Sequence, residues 1–219
     1  MRRLVVLSLC ATLVAPPGAR GAGRAVALPS PAREGRLSLE GALAARRSVR
    51  AYSPRRLSLA EVGQLLWAAQ GVSGPDGKRT APSAMHRYPL EIAVVAQAVD
   101  GLASGAYRYL PASHSLELLV PAGKGPMLAG ATSQASVHGA PAVFVIAAVY
   151  GRMTSGPNNR TWTDYEAGLA SENLLLQAVA LGLGGVVVGG IDRAAVGEAV
   201  KLSGGEQVIV VIPVGQPEK

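Results

Sequence analysis

The chain has one cysteine, Cys10, in 219 residues, and that cysteine sits inside the first apolar run. If the N-terminal segment is removed, the remainder has no thiol, which excludes disulfides, thiolate metal ligands and a cysteine nucleophile. Aromatics are also scarce: one Phe, two Trp and six Tyr, none interleaved with a basic run. A stacking platform for single-stranded nucleic acid therefore finds no support. The formal net charge of +7 does not restore it. Residues 1–56 carry eleven Arg against only Glu34 and Glu40, whereas residues 57–219 carry ten Lys and Arg against twelve Asp and Glu. The positive excess belongs to one end of the chain and not to a basic face, so no nucleic-acid partner is expected. The three histidines, His86, His114 and His138, are far apart and lack ligand spacing, so no metal is expected either.

Met1-Arg2-Arg3 followed by the apolar stretch Leu4–Ala15 has the charged start and short apolar core of a secretory signal. The run is too short for a stable membrane span. Residues 1–22 are thus expected to act as a signal peptide, cleaved near Ala22, placing the protein in a bacterial periplasm or outside the cell. A mistaken start would give the same pattern. Residues 23–37, rich in Pro, Gly, Ala and Arg, read as a linker, and residues 38–217 as one domain. Hydrophobic residues make up 49% of the chain, enough for a real core.

Within the domain, Ser38 opens a helix to Ala45, and Ser58 with Glu61 forms a capping box for a helix ending at Gly71. Leu90–Ala98, Tyr107–Leu110, Leu116–Val120, Ala140–Tyr150, Val186–Val188 and Gln207–Val214 read as strands. The long helix is expected over Asp164–Leu181, and Asp192 caps a short one. Strands and helices mix without strict alternation, which gives an α+β class.

Three motifs carry candidate chemistry. Arg46-Arg47-Ser48-Val49-Arg50 gathers three guanidiniums and a hydroxyl at a helix end, a natural anion site, although a solvated basic turn has the same composition. Arg79-Thr80-Ala81-Pro82-Ser83-Ala84 is a small-residue loop that a planar ligand can approach, or an ordinary connection. Glu166-Ala167-Gly168 leads into the long helix and then to Leu181-Gly182-Leu183-Gly184-Gly185. Those glycines follow a helix and precede a strand, the reverse of the dinucleotide fingerprint.

Taken in order, these motifs, with Leu65–Gly71 and Tyr88-Pro89-Leu90-Glu91 between them and Pro213-Val214-Gly215 after them, resemble the nitroreductase family, most closely its SagB-type dehydrogenase branch. The resemblance spans residues 38–217. It implies an α+β, FMN-dependent fold, with a mixed, mainly antiparallel sheet flanked by helices, in an intertwined homodimer. It also implies an oxidoreductase moving hydride through flavin N5 between a donor such as NAD(P)H and a small organic acceptor. The family pattern assigns the FMN phosphate and ribityl chain to Arg46 and Ser48, with Arg47 a further candidate for the phosphate, and the pyrimidine edge to Arg50, where a cation stabilises the reduced ring. Pro82, Ser83 and Ala84 would reach the ring from the other subunit. Glu166 and Gly168 would place a helix N-terminal N–H near N5, and Gly184 and Gly185 would pass close on the opposite side. His86 is a candidate proton donor. Gln216 stands where the family often has Arg or Lys. Two alternatives stay open: a dehydrogenase or oxidase of a peptide or small metabolite, and a flavin-binding protein without catalysis.

Overall fold

The computed structural model describes residues 25–123, 127–153 and 159–218. The signal peptide expected over residues 1–22, with Cys10, lies outside them. Five helices and nine strands are described, in the order β1 (Val26–Ala27), α1 (Leu39–Ala45), β2 (Leu57–Ser58), α2 (Leu59–Gln70), β3 (Leu90–Ala96), β4 (Val99–Asp100), β5 (Gly105–Leu110), β6 (Ser115–Pro121), α3 (Ala135–Gly139), β7 (Ala142–Ala148), α4 (Asn159–Ala180), β8 (Gly184–Gly185), α5 (Arg193–Ala199) and β9 (Gln207–Gly215).

Seven strands form one sheet in the order β1-β6-β5-β3-β7-β9-β8, and every pairing within it is antiparallel. The period-two alternation of strands divides the core in two. Leu90, Ile92 and Val94 of β3 and Phe144 and Ile146 of β7 face one side, where α2 and α4 lie. Ala93 and Val95 of β3 and Val143 and Val145 of β7 face the other, with Val137 of α3 and Val196 of α5. A bulge shifts the β7–β9 register between Ile146 and Ala147. Beyond it Val208 faces the second core, while Ile212 and Val214 face the first. The α+β class with a helix-flanked antiparallel sheet is what the sequence led us to expect.

The capping signals hold. The Ser38 hydroxyl accepts from Gly41 N at 3.0 Å, and Ser58 and Glu61 cap each other reciprocally at the start of α2. Three readings change. Helix α4 begins at Asn159, five residues before the expected Asp164. The Gly and Asn residues before it suggested a loop, but Trp162 and Tyr165 already follow the helical register. The strand expected over Val186–Val188 is reduced to a single bridge from Val188 to Val211, and β8 lies one step earlier. Helix α3, only five residues long and lacking a side-chain cap, had no sequence signal strong enough to mark it.

Residues 25–37 are not a free linker. β1 pairs with β6, and the buried Gln64 side chain clamps Ala32, accepting from its N–H at 2.8 Å and donating to its carbonyl at 3.0 Å. Composition suggested a linker because Pro and Gly mark turns, yet backbone hydrogen bonds from a distant helix can hold such a segment. Replacing Gln64 by Ala should cost about 1 kcal/mol in urea unfolding, since both backbone groups of Ala32 lose their partner. It should also open residues 28–37 to limited proteolysis. An unchanged midpoint with an intact N-terminal segment would show the clamp to be idle.

Candidate active site

A groove of about 230 Å³ runs between α4 and β9, walled by Asp164, Ala167, Gly168, Ser171 and Glu172 on the helix and by Val187, Ile209 and Val210 opposite. It exists because β9 is paired on this side only near its end, with β8 at Val214 and Gly215, and by the bridge at Val211. A Cβ placed on Gly168 would meet nothing within 4 Å, so the missing side chain leaves room beside the helix. The Ser171 hydroxyl is turned back to the Ala167 carbonyl at 2.6 Å and presents no free donor. Enclosed small-molecule sites span roughly 300–1,000 Å³. The groove falls below that range.

The Arg46–Arg50 turn lies near the Glu172 end of this groove. Val49 N donates to Gly185 O at 3.0 Å and Ser48 bridges Gly185, pinning the turn to β8. The Arg46 guanidinium is held 3.2 Å from Glu172 Oε1, which places it at the groove and leaves it one-third exposed. Ser48 and Arg50 are exposed on the same turn. Arg47 is different: its Nη1 donates to the carbonyls of Ala44 and Arg46, closing the end of α1, so the structure does not bring it to the groove. Gly184 and Gly185 answer to protein neighbours. A Cβ on Gly184 would lie 2.5 Å from Val49 Cγ2, and one on Gly185 would lie 2.7 Å from the Pro213 carbonyl. Tyr52, which sequence reasoning passed over, fastens the turn by donating to the carbonyls of Val49 and Pro213. Burial pushes its phenol far above the ordinary range, so it stays protonated. Tyr52 lies two residues past the arginine motif, and only the distant Pro213 partner reveals its task. Gln216 reaches this turn through its backbone, accepting from Ser53 N at 2.9 Å.

The second motif gathers elsewhere. Glu166, only 4% exposed, accepts at Oε1 from the Ser83 hydroxyl at 3.0 Å and from Ala84 N at 2.8 Å. Its Oε2 has no hydrogen-bond partner among the described residues. Ser83 Oγ in turn accepts from Tyr88 N at 2.8 Å. The turn is strained: Met85, His86 and Tyr88 have φ of 53°, 54° and 44°. Such left-handed residues cost about 1–3 kcal/mol each and persist where surroundings hold them. Here Glu166 holds one end, while Arg79, stacked 4.5 Å over the Tyr88 ring, and Arg152, donating to the Tyr88 carbonyl, hold the other. Pro82 and His86 are exposed.

Two positions apart on α4, Glu166 and Gly168 stand about 200° from one another around the helix axis. The Pro82–Ala84 turn therefore lies on the side of α4 away from its own chain's groove. The role expected of Gly168 also needs correction. With α4 starting at Asn159, its N–H belongs to the helical ladder and is no helix N-terminus. What Gly168 offers is open space.

Burial raises the Glu166 carboxyl pKa above its usual value, and the bonds from Ala84 and Ser83 only partly oppose this. The folded chain thus holds that proton more tightly than the unfolded chain. The stabilisation is complete below the unfolded value and is lost as pH rises through the folded one. Glu166→Gln keeps the acceptor and removes the charge. The thermal midpoint of the wild type should fall relative to this variant as pH rises above about 4, the ordinary glutamate value. A gap independent of pH would mean that the carboxyl ionises freely.

Comparison with known proteins follows the same residues. The family model described as the nitroreductase family matches residues 43–216, from α1 to the end of β9. A relative from Methanocaldococcus jannaschii, named as a nitroreductase, is 38% identical over 183 residues, covering 82% of this chain and 91% of its own. A solved Ralstonia eutropha structure, also named as a nitroreductase, superposes with a TM-score of 0.77 at 32% identity, over 95% of this chain and 97% of the other. A Desulfovibrio desulfuricans structure in complex with FMN has a TM-score of 0.61 at 23% identity, over 83% and 87% of the two chains, a likeness of fold. With the motif order, the antiparallel sheet and the matched span in agreement, the chain belongs to the nitroreductase family of FMN-dependent oxidoreductases.

Proposed function

We propose that the α4–β9 groove is the flavin site and that the protein moves hydride between a reduced donor such as NAD(P)H and a small organic acceptor. The observation that carries this reading is the groove itself, with the open flank at Gly168 and the Arg46 guanidinium at its end. When bound, FMN supplies the hydride-accepting ring, and the chain's own residues bind and orient it. Arg46 and Ser48 suit the phosphate, since a guanidinium and a hydroxyl are both donors. Arg50 is available to the ring's electron-rich edge. The side chain of Glu166 faces inward, so any contact from it comes through the backbone. Arg47 is engaged by α1 and has a lesser part.

The separation of the turn and the groove favours a homodimer in which Pro82–Ala84 of one chain complete the groove of the other. An apolar surface exists for such pairing: Trp162, Tyr165 and Leu169 are 49%, 62% and 46% exposed on α4, and Leu39 and Leu43 are 62% and 54% exposed on the adjacent α1. Exposed apolar surface of this kind marks association sites. Among the described residues no helix is long and apolar enough to cross a membrane. We further infer that residues 1–22 direct the chain out of the cytoplasm, and that the SagB-type dehydrogenases are its nearest functional kin.

Protein purified from its host should carry FMN, releasable by heat. Replacing Arg46 by Ala removes a charge-assisted bond, weakening FMN by about ten- to a hundredfold while riboflavin binding changes little. Equal weakening of both would take Arg46 away from the phosphate, and failure to bind FMN would end the assignment. Tyr165→Glu should yield a monomer by light scattering that also loses flavin, because dimer and cofactor stabilise one another. A flavin-loaded monomer would refute the shared site. N-terminal sequencing of exported protein should begin near residue 23, and an intact Met1 in the cytosolic fraction would refute export.

A further inference from the structure

A cavity of about 520 Å³ opens beside the groove, where α5 ends and β9 begins. Its size falls in the range of small-molecule sites, roughly 300–1,000 Å³. Gln207 and Val208 line it, and the next two residues of the same strand, Ile209 and Val210, line the groove. Tyr150, also in its wall, donates a hydrogen bond of 2.7 Å to Asp164 in the groove wall. The two spaces thus share a partition.

The cavity's charge is one-sided. Arg160, Arg193 and Lys201 line it, and none of them makes an ion pair among the described residues. Of the two carboxylates present, Glu206 is taken by a two-pronged bond from Arg108, at 2.5 and 2.9 Å, and by Ser203 N. Only Glu198 remains to balance three cations. Arg160 lies 4.1 Å over the Tyr150 ring and donates one bond to Gln207. Burial, with the bond to Asp164, pushes the Tyr150 phenol up to about 12, while the charges of Arg160 and Arg193 pull it down. Lys201 holds φ of 50° just past the end of α5, a position where glycine is the unstrained choice. The chain accepts a strained backbone there and gains an ammonium at the cavity. Leu202 and Val208 supply apolar wall beside these cations.

We propose that this cavity binds the anionic end of a small organic ligand, phosphate- or carboxylate-bearing, whose body extends toward the groove. The proposal stands on the cavity's own residues and does not depend on flavin occupying the groove. It is tested by calorimetric titration of the full chain saturated with FMN, so that the Arg46 turn is occupied, with inorganic pyrophosphate and, separately, with succinate. One anion should bind per chain, more weakly as salt is raised. Pyrophosphate alone giving heat identifies phosphate as the partner chemistry, and succinate alone identifies carboxylate. The double variant R193Q/K201Q should weaken binding at least about tenfold. Lys201→Gly should raise the melting temperature and still weaken binding, separating lost charge from damaged fold. Equal affinity in the wild type and R193Q/K201Q, or no heat from either anion at millimolar concentration, would each overturn the proposal.

Discussion

The packing of α4 across the sheet is the contact on which the rest of the structure depends. Ala167, Ala170, Leu174 and Ala178 face the core that also holds Phe144, Ile146 and Ile212, and the small alanines let the helix lie close to the strands. Once that face is fixed, the helical period assigns every other residue of α4 a side. Asp164, Gly168 and Glu172 turn to the β9 edge and make the groove. Glu166 turns to the Ser83–Ala84 loop. Trp162, Tyr165 and Leu169 are left facing outward. Groove, loop anchor and exposed apolar face are consequences of one buried stripe, so a change of register in α4 would dismantle all three together.

Electrostatics then distinguishes the two ends of the groove. At one end Arg46 is paired with Glu172, a contact at the surface and worth little for stability. Its value lies in holding the guanidinium in place while part of it remains open to an anion. At the other end Tyr150 and Asp164 separate the groove from a cavity whose cations have no such partner among the described residues. The buried ion pairs follow a different logic. Arg108, between Glu91 and Glu206, ties β5 to β3 and to the start of β9 and has no part in the groove.

Much of this was legible in the sequence, for identifiable reasons. Apolar strands such as Ala142–Ala148 and the Ser58–Glu61 capping box are local signals, and local signals survive folding. The order of motifs gave the family. What the sequence could not show were matters of long-range partnership. Nothing in the Pro- and Gly-rich stretch before Ser38 tells that Gln64 will clamp Ala32. Gly184 and Gly185 read as room for a cofactor, yet their neighbours are Val49 and Pro213. Arg47 looked equal to Arg46 until the end of α1 claimed it. Gly168 looked like a helix start because the preceding glycine and asparagines hid one more turn and a half of α4.

The central claim is that one site is built from two chains, a groove from one and the Pro82–Ala84 turn from the other. Complementation tests it most directly. Chains carrying Arg46→Ala are mixed under exchange with chains carrying Pro82→Glu, an exposed position whose change should leave the fold intact, and bound FMN is measured. Each variant alone should bind FMN poorly, while the mixed dimer regains one intact site of its two. No recovery in a verified mixed dimer would contradict the account and place groove and turn in separate roles.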